Sequence, residues 1–205
     1  VINEMARVYG LKANVSVRIN PDIDAHTHKY VTTGLYENKF GISQHEFDKL
    51  IDIIKKSEHI NFYGLHFHIG SQITRVSEVF ALECCRVNDI VAYFERNGLK
   101  VDNINLGGGL GVDYDDPDEN PIADFETWFE TINGNIVRRE DQNVHIEPGR
   151  SLVAQCATLI SRVLFVKSGE TKNFLIMDAG MNDLIRPALY GAYHKIENLS
   201  AAQRT

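Results

Sequence analysis

Four short β-branched runs, at residues 15–19, 62–68, 101–106 and 144–147, recur at intervals of roughly 40–47 residues. Stretches with helical periodicity separate them. Phe47, Leu50, Ile51 and Ile54 share one face of a predicted helix at 44–56. Ser43 followed by Glu46 predicts a capping box at its start. A long helix is predicted at 77–97, stopped by Gly98, and another at 123–139, while residues 1–9 read as the end of a helix stopped by Gly10. Strand alternating with helix at this spacing predicts a parallel α/β arrangement. The runs share a rhythm but no sequence, so a solenoid repeat is not expected.

Every unusual polar or glycine cluster follows the C-terminal end of a strand. These are Arg18 and Asn20; His66, His68 and Ser71; Gly107-Gly108-Gly109-Leu110-Gly111; and Glu147-Pro148-Gly149-Arg150. In (β/α) barrels and open α/β sheets that edge carries the active site. After Arg150 the texture changes: residues 152–166 and 174–178 are β-rich with no clear helix between them. A second, all-β element is expected there, with a boundary near residue 151.

Composition narrows the function classes. The 205 residues carry 21 Lys+Arg against 28 Asp+Glu, a net charge of −7, with no basic run. That balance argues against nucleic acid or an anionic membrane as partner. No stretch approaches the roughly 18 apolar residues of a membrane span. The chain opens with Val1 and shows no charged region followed by an apolar one, so no signal peptide is expected. Cys84, Cys85 and Cys156 make an odd count without metal-ligand spacing, which predicts reduced thiols and a cytoplasmic location.

Each motif has a structural and a functional reading. The glycines at 107–111 follow a strand, so their backbone N–H groups suit a phosphate; a tight turn needing positive φ explains them equally. They do not match the dinucleotide pattern. Glu147 and Arg150 form either a surface ion pair or a working pair, the carboxylate meeting a cation or protonated ring nitrogen and the guanidinium a substrate carboxylate. His66 and His68 share a strand face, the H-x-H spacing of metal-dependent hydrolases, which His26 and His28 repeat. His145 and Asp178 are weak candidates for further ligands. Against metal stand an aromatic partner for a flat cofactor and, for His66, a satisfied core histidine. Arg186 and Tyr190, four apart after Asp178-Ala-Gly-Met-Asn-Asp183, bring a guanidinium near a phenol if that turn is helical. Cys84-Cys85 reads as packing in or near the core.

Taken in order, Arg18-Ile-Asn-Pro21, Lys39-Phe-Gly41, His66-Phe-His-Ile-Gly-Ser-Gln72, the glycines at 107–111, Glu147-Pro-Gly-Arg-Ser151 and the stretch from Asp178 to Tyr190 resemble the diaminopimelate decarboxylases. That family is a branch of the barrel-fold pyridoxal-phosphate decarboxylases, which include the ornithine and arginine enzymes. The resemblance implies the C-terminal half of a cofactor-binding (β/α)8 barrel over 1–150, then the start of a β-domain over 151–205. It implies that Gly107, Gly108, Gly109 and Gly149 bind the phosphate of pyridoxal 5'-phosphate, with Ser71 nearby. His68 stacks on the pyridine ring, Glu147 faces its nitrogen, and Arg150, Arg186 and Tyr190 hold the amino-acid substrate. No metal is implied.

The same resemblance implies decarboxylation of meso-2,6-diaminopimelate to L-lysine and CO2, the last step of lysine biosynthesis, by a homodimer. The family's Schiff-base lysine belongs to an earlier barrel strand, and Lys12-Ala13-Asn14 is not that lysine because it directly precedes the Arg18 strand. The family's Cys-Glu motif is expected beyond Thr205, so the chain is expected to be an internal piece of a longer enzyme, inactive alone. The uncovered edges of a half barrel predict self-association. The alternatives are an ornithine- or arginine-type decarboxylase, a non-catalytic pyridoxal-phosphate-binding homologue, and a metal-dependent hydrolase built on the H-x-H pairs.

Overall fold

The computed structural model describes residues 1–23 and 40–200. His26, His28 and Lys39 lie outside the described residues. The chain divides into two compact units. The first comprises Val1–Val112 with Ala123–Leu152, and the second Asp113–Ile122 with Val153–Thr205, described as far as Ser200.

In the first unit, α1 (Ile2–Val8), β1 (Ala13–Arg18), α2 (Phe47–Lys56), β2 (Ile60–His66), α3 (Val76–Arg96), β3 (Asn103–Asn105), α4 (Phe125–Asn135) and β4 (Asn143–His145) follow in chain order, and the short α5 (Arg150–Val153) runs across its end at Leu152. The four strands form one parallel sheet in the order β1-β2-β3-β4. Each strand therefore starts at the same edge and delivers its C-terminal residue to the other. Arg18 pairs with His66, His66 with Asn105, and Asn105 with His145 across that second edge.

The pleat sorts the two faces. Leu65, Phe67, Ile104 and Leu106 are buried, while Asn103, Asn105, His145 and Glu147 alternate with them on the opposite face. The apolar face is covered by helices. Along α3 the buried positions are Val76, Val79, Phe80, Cys84, Val87, Ile90, Val91 and Phe94, a helical stripe. Phe80 meets Trp128 of α4 with ring centroids 5.5 Å apart, and Phe47 of α2 meets Phe94 at 5.2 Å. Those aromatic contacts fix the crossovers that hold the strands in register.

Several expected boundaries shift. The start of the 44–56 helix is a 3-10 turn at Gln44–Glu46, where the Glu46 N–H donates to the Ser43 carbonyl at 2.9 Å and no side chain caps. The capping box is therefore not formed. The predicted 123–139 helix stops at Asn135, with Ile136 extended. Beyond it Arg139 reaches Glu95 and, at 3.0 Å, Asp141, contacts that a continuous helix would forgo. That helix is capped by Asp124, whose side chain accepts from the Thr127 N–H at 3.1 Å.

The second unit contains β5 (Val163–Ser168) and β6 (Asn173–Met177), an antiparallel pair, and α6 (Arg186–Tyr190). Residues 186–190 are helical, the condition on which the pairing of Arg186 with Tyr190 rested.

Candidate functional site

The parallel sheet brings most of the singled-out residues of the first unit to one edge. His66 ends β2, Asn105 ends β3, and Glu147 follows β4 by two residues on the same face. Glu147 is anchored twice to the turn after β3. Its N–H donates to the Gly107 carbonyl at 2.6 Å, and its Oε1 accepts from Asn105 Nδ2 at 2.8 Å. Asn105 Oδ1 in turn accepts the Gly107 N–H at 2.8 Å.

The glycines of this turn are needed by close packing. A Cβ on Gly108 would fall within 3.0 Å of the Glu147 carbonyl oxygen, and one on Gly107, at φ +72, equally close to the Phe67 carbonyl. Gly107 thus also satisfies the turn reading: its backbone is left-handed. At Gly149, by contrast, nothing lies within 4 Å of a built Cβ, so the space beside it is open.

His68 lies against the same turn, its Nδ1 accepting the Gly108 N–H at 3.3 Å. The ring proton therefore sits on Nε2. Burial pushes the imidazole below its usual titration range, Arg18 and His66 push the same way, and the Glu147 carboxylate opposes them. His66 is lowered too, first by burial, with Glu147 pulling up and Arg18 pushing down. Its Nε2 is buried without a hydrogen-bond partner and stands 3.7 Å from Glu147 Oε2. That corrects the reading of His66 as a satisfied core histidine: the ring is seated, but its outer nitrogen is not.

Ser71 lies in the loop after β2, between the buried Ile69 and Ile73. Gln72 beside it adopts φ 63, unusual for a residue with a side chain. Its amide pairs with both backbone groups of Val112, donating to the carbonyl at 2.5 Å and accepting the N–H at 3.3 Å. The same Oε1 accepts from Arg150 Nη1 at 3.2 Å. Gln72 entered the sequence reading only as the end of a motif, with no role, and Asn105 was passed over. An Asn closing a short strand was a usable signal, since that residue type is depleted in strands.

In the second unit, the Arg186 guanidinium carbon stands 5.6 Å from the Tyr190 ring centroid and 5.2 Å from that of Tyr114. Tyr114 was not anticipated. Among the described residues, the two weak further ligands of the H-x-H reading are engaged elsewhere. His145 Nε2 is paired with Asn103 Oδ1 at 2.9 Å, and Asp178 accepts from Ser161 Oγ and the Arg162 N–H. Those two donors, the backbone one first, hold the Asp178 carboxyl below its usual range. No group of three His, Cys, Asp or Glu side chains converges among the described residues. Cys84 is buried and its thiol is pushed up to about 12 by burial, as packing requires. Cys85 is exposed, against the expectation that the pair lies in or near the core.

Residues 1–154 match the family described as pyridoxal-dependent decarboxylase, pyridoxal binding domain. The chain belongs to the pyridoxal-dependent decarboxylases. Among curated relatives of this family, it is 51% identical over 203 residues to the diaminopimelate decarboxylase of Bacteroides thetaiotaomicron, covering 99% of the chain and 52% of the relative. It is 37% identical over 212 residues to that of Aquifex aeolicus, covering 100% and 48%. Among solved structures, the diaminopimelate decarboxylase of Helicobacter pylori complexed with L-lysine superposes with a TM-score of 0.82 at 37% identity, covering 98% of this chain and 49% of that one. The chain spans about half the length of the curated relatives it matches. Its parallel α/β unit has the barrel-type fold of these decarboxylases, and pyridoxal phosphate is the family's cofactor.

The residues present fit that group. A closely packed glycine turn, open space at Gly149, a neutral imidazole at His68 and a carboxylate held by an amide are gathered at one sheet edge.

Proposed function

We propose that the protein decarboxylates meso-2,6-diaminopimelate to L-lysine and CO2. The observation that carries the reading is the 51% identity along 99% of the chain to a diaminopimelate decarboxylase. The Glu147–Asn105–Gly107 geometry supports it. When bound, pyridoxal phosphate supplies an electron sink for the pair left at the α-carbon as CO2 departs.

This chain's residues hold and tune that sink. Of the four glycines expected at the phosphate, Gly109 and Gly149 would offer their backbone N–H groups to it, with the Ser71 hydroxyl, whereas the Gly107 and Gly108 N–H groups are spent on Asn105 and His68 and shape the turn instead. The His68 ring, seated on the glycine turn, would offer a flat face to the pyridine. Glu147 holds a proton at the ring nitrogen, which makes the ring a stronger acceptor. Arg150 in the first unit, and separately Arg186 beside Tyr190 in the second, each offer a guanidinium, which suits a second carboxylate better than an amine. A homodimer and a cytoplasmic location belong to the same reading. The unpaired state of Cys84, Cys85 and Cys156 fits a reducing compartment.

The test is absorbance titration of the full-length protein that carries this chain with pyridoxal phosphate, followed by meso-diaminopimelate, L-lysine or ornithine. Saturable one-to-one binding, perturbed by diaminopimelate and lysine at lower concentrations than by ornithine, is expected. Absence of binding overturns the reading; a preference for ornithine replaces it with the diamine-precursor branch.

A further inference from the structure

Asn105 is absent from the set of residues that the sequence marks, yet it occupies the centre of the edge. Its side-chain amide has only one consistent orientation. The Gly107 backbone N–H, 2.8 Å from one terminal atom, is a donor and demands the oxygen there. That leaves the amide nitrogen facing Glu147 Oε1 at 2.8 Å, as a donor to a carboxylate. Together with the Glu147 N–H on the Gly107 carbonyl at 2.6 Å, these bonds close a ring through Asn105, Gly107 and Glu147. On the other side of the carboxylate, among the described residues, His66 Nε2 stands 3.7 Å from Glu147 Oε2. Burial keeps that ring below its usual titration range. Asn105, at 2.8 Å against 3.7 Å for His66, supplies the short bond that sets the direction of the carboxylate.

We propose that Asn105 is a positioning residue. It holds the Glu147 carboxylate toward the cofactor's ring nitrogen and locks it to the same turn that receives the phosphate. One amide thereby sets the distance between the two ends of the cofactor site. The inference rests on the proposed cofactor role of Glu147, but the orientation of that side chain is measurable without cofactor.

Two variants separate the bonds. Asn105→Asp keeps an oxygen for the Gly107 N–H and replaces the donor to Glu147 with a like charge. Asn105→Ala removes both. In the full-length protein free of ligand, side-chain couplings by NMR are expected to show one Glu147 rotamer in the wild type and averaging in both variants. Hydrogen exchange at the Gly107 amide is expected to rise in Asn105→Ala and to stay slow in Asn105→Asp. With pyridoxal phosphate labelled at the ring nitrogen, both variants are expected to move its ¹⁵N resonance toward the unprotonated position. They are also expected to weaken binding about tenfold, the scale of a lost hydrogen bond to a charged group. A single Glu147 rotamer retained in both variants overturns the proposal. Averaging in the variants, with a wild-type protein that binds no cofactor, supports the positioning and overturns the cofactor role instead.

Discussion

Gly108 lies against the backbone of Glu147 so closely that a Cβ at residue 108 would fall within 3.0 Å of the Glu147 carbonyl oxygen. The turn after β3 and the end of β4 are thus one packed object, and a side chain at this point forces them apart. Gly108→Ala is expected to cost about 1–3 kcal/mol of stability through overpacking. Gly149→Ala, which meets nothing within 4 Å, is expected to leave stability within about 0.5 kcal/mol. Urea denaturation of the two variants measures both. Equal losses would show that the turn relaxes freely.

Gln72 carries a second strained point. Its φ of 63 costs a residue with a Cβ roughly 1–2 kcal/mol relative to glycine. Its side chain offsets that by bonding Val112 and Arg150. Gln72→Ala keeps the strain and loses the bonds, whereas Gln72→Gly loses the bonds alone. The glycine variant is therefore expected to be the more stable of the two by about 1 kcal/mol in denaturant titration. The reverse order would place the stabilisation elsewhere than in the backbone.

Glu83 sits inside α3 with 1% exposure, and one of its carboxyl oxygens has no hydrogen-bond partner. Burial raises its titration point well above 4.5, so the folded chain keeps a proton that the unfolded chain has released. Stability then falls as pH rises through the window between 4.5 and the raised folded value, by up to about 1.4 kcal/mol per pH unit. Glu83→Gln removes that slope. Denaturation midpoints measured from pH 5 upward check it, and identical slopes in the two proteins would place the ionisation elsewhere.

For His66 and His68 the sign is opposite. Both titrate below 6.5 in the folded chain because burial disfavours the imidazolium. Their contribution to stability is complete above 6.5 and is lost as pH falls through the depressed folded values. NMR titration of the ring protons is expected to place both midpoints below 6.5. Either midpoint above it would mean that Glu147 outweighs burial at that ring.

The alternation of strands and helices was legible because apolar spacing is a local property. Val79, Phe80, Val87, Ile90 and Phe94 announce a helix whichever partner covers them. Strand ends were legible less accurately. A run at 101–106 was expected where ladder pairing holds only Asn103–Asn105, since pairing depends on both neighbours as well as on local preference. Residues 113–122 stand between β3 and α4 in the chain, yet Asp113–Ile122 groups with the second unit, where Tyr114 meets Arg186 at 5.2 Å. Nothing local to Tyr114 announces a guanidinium 72 positions later.

By itself, the sequence determined a parallel α/β unit whose polar and glycine clusters follow the strand ends, with the order of motifs that marks a pyridoxal-dependent decarboxylase. Only the tertiary structure decided which of those residues share a hydrogen bond. In a parallel sheet, register is set by how crossover helices pack, as Phe80 does on Trp128, and one residue of slip turns every side chain to the other face. Asn105 and Glu147, 42 residues apart, meet because that packing aligns β3 with β4.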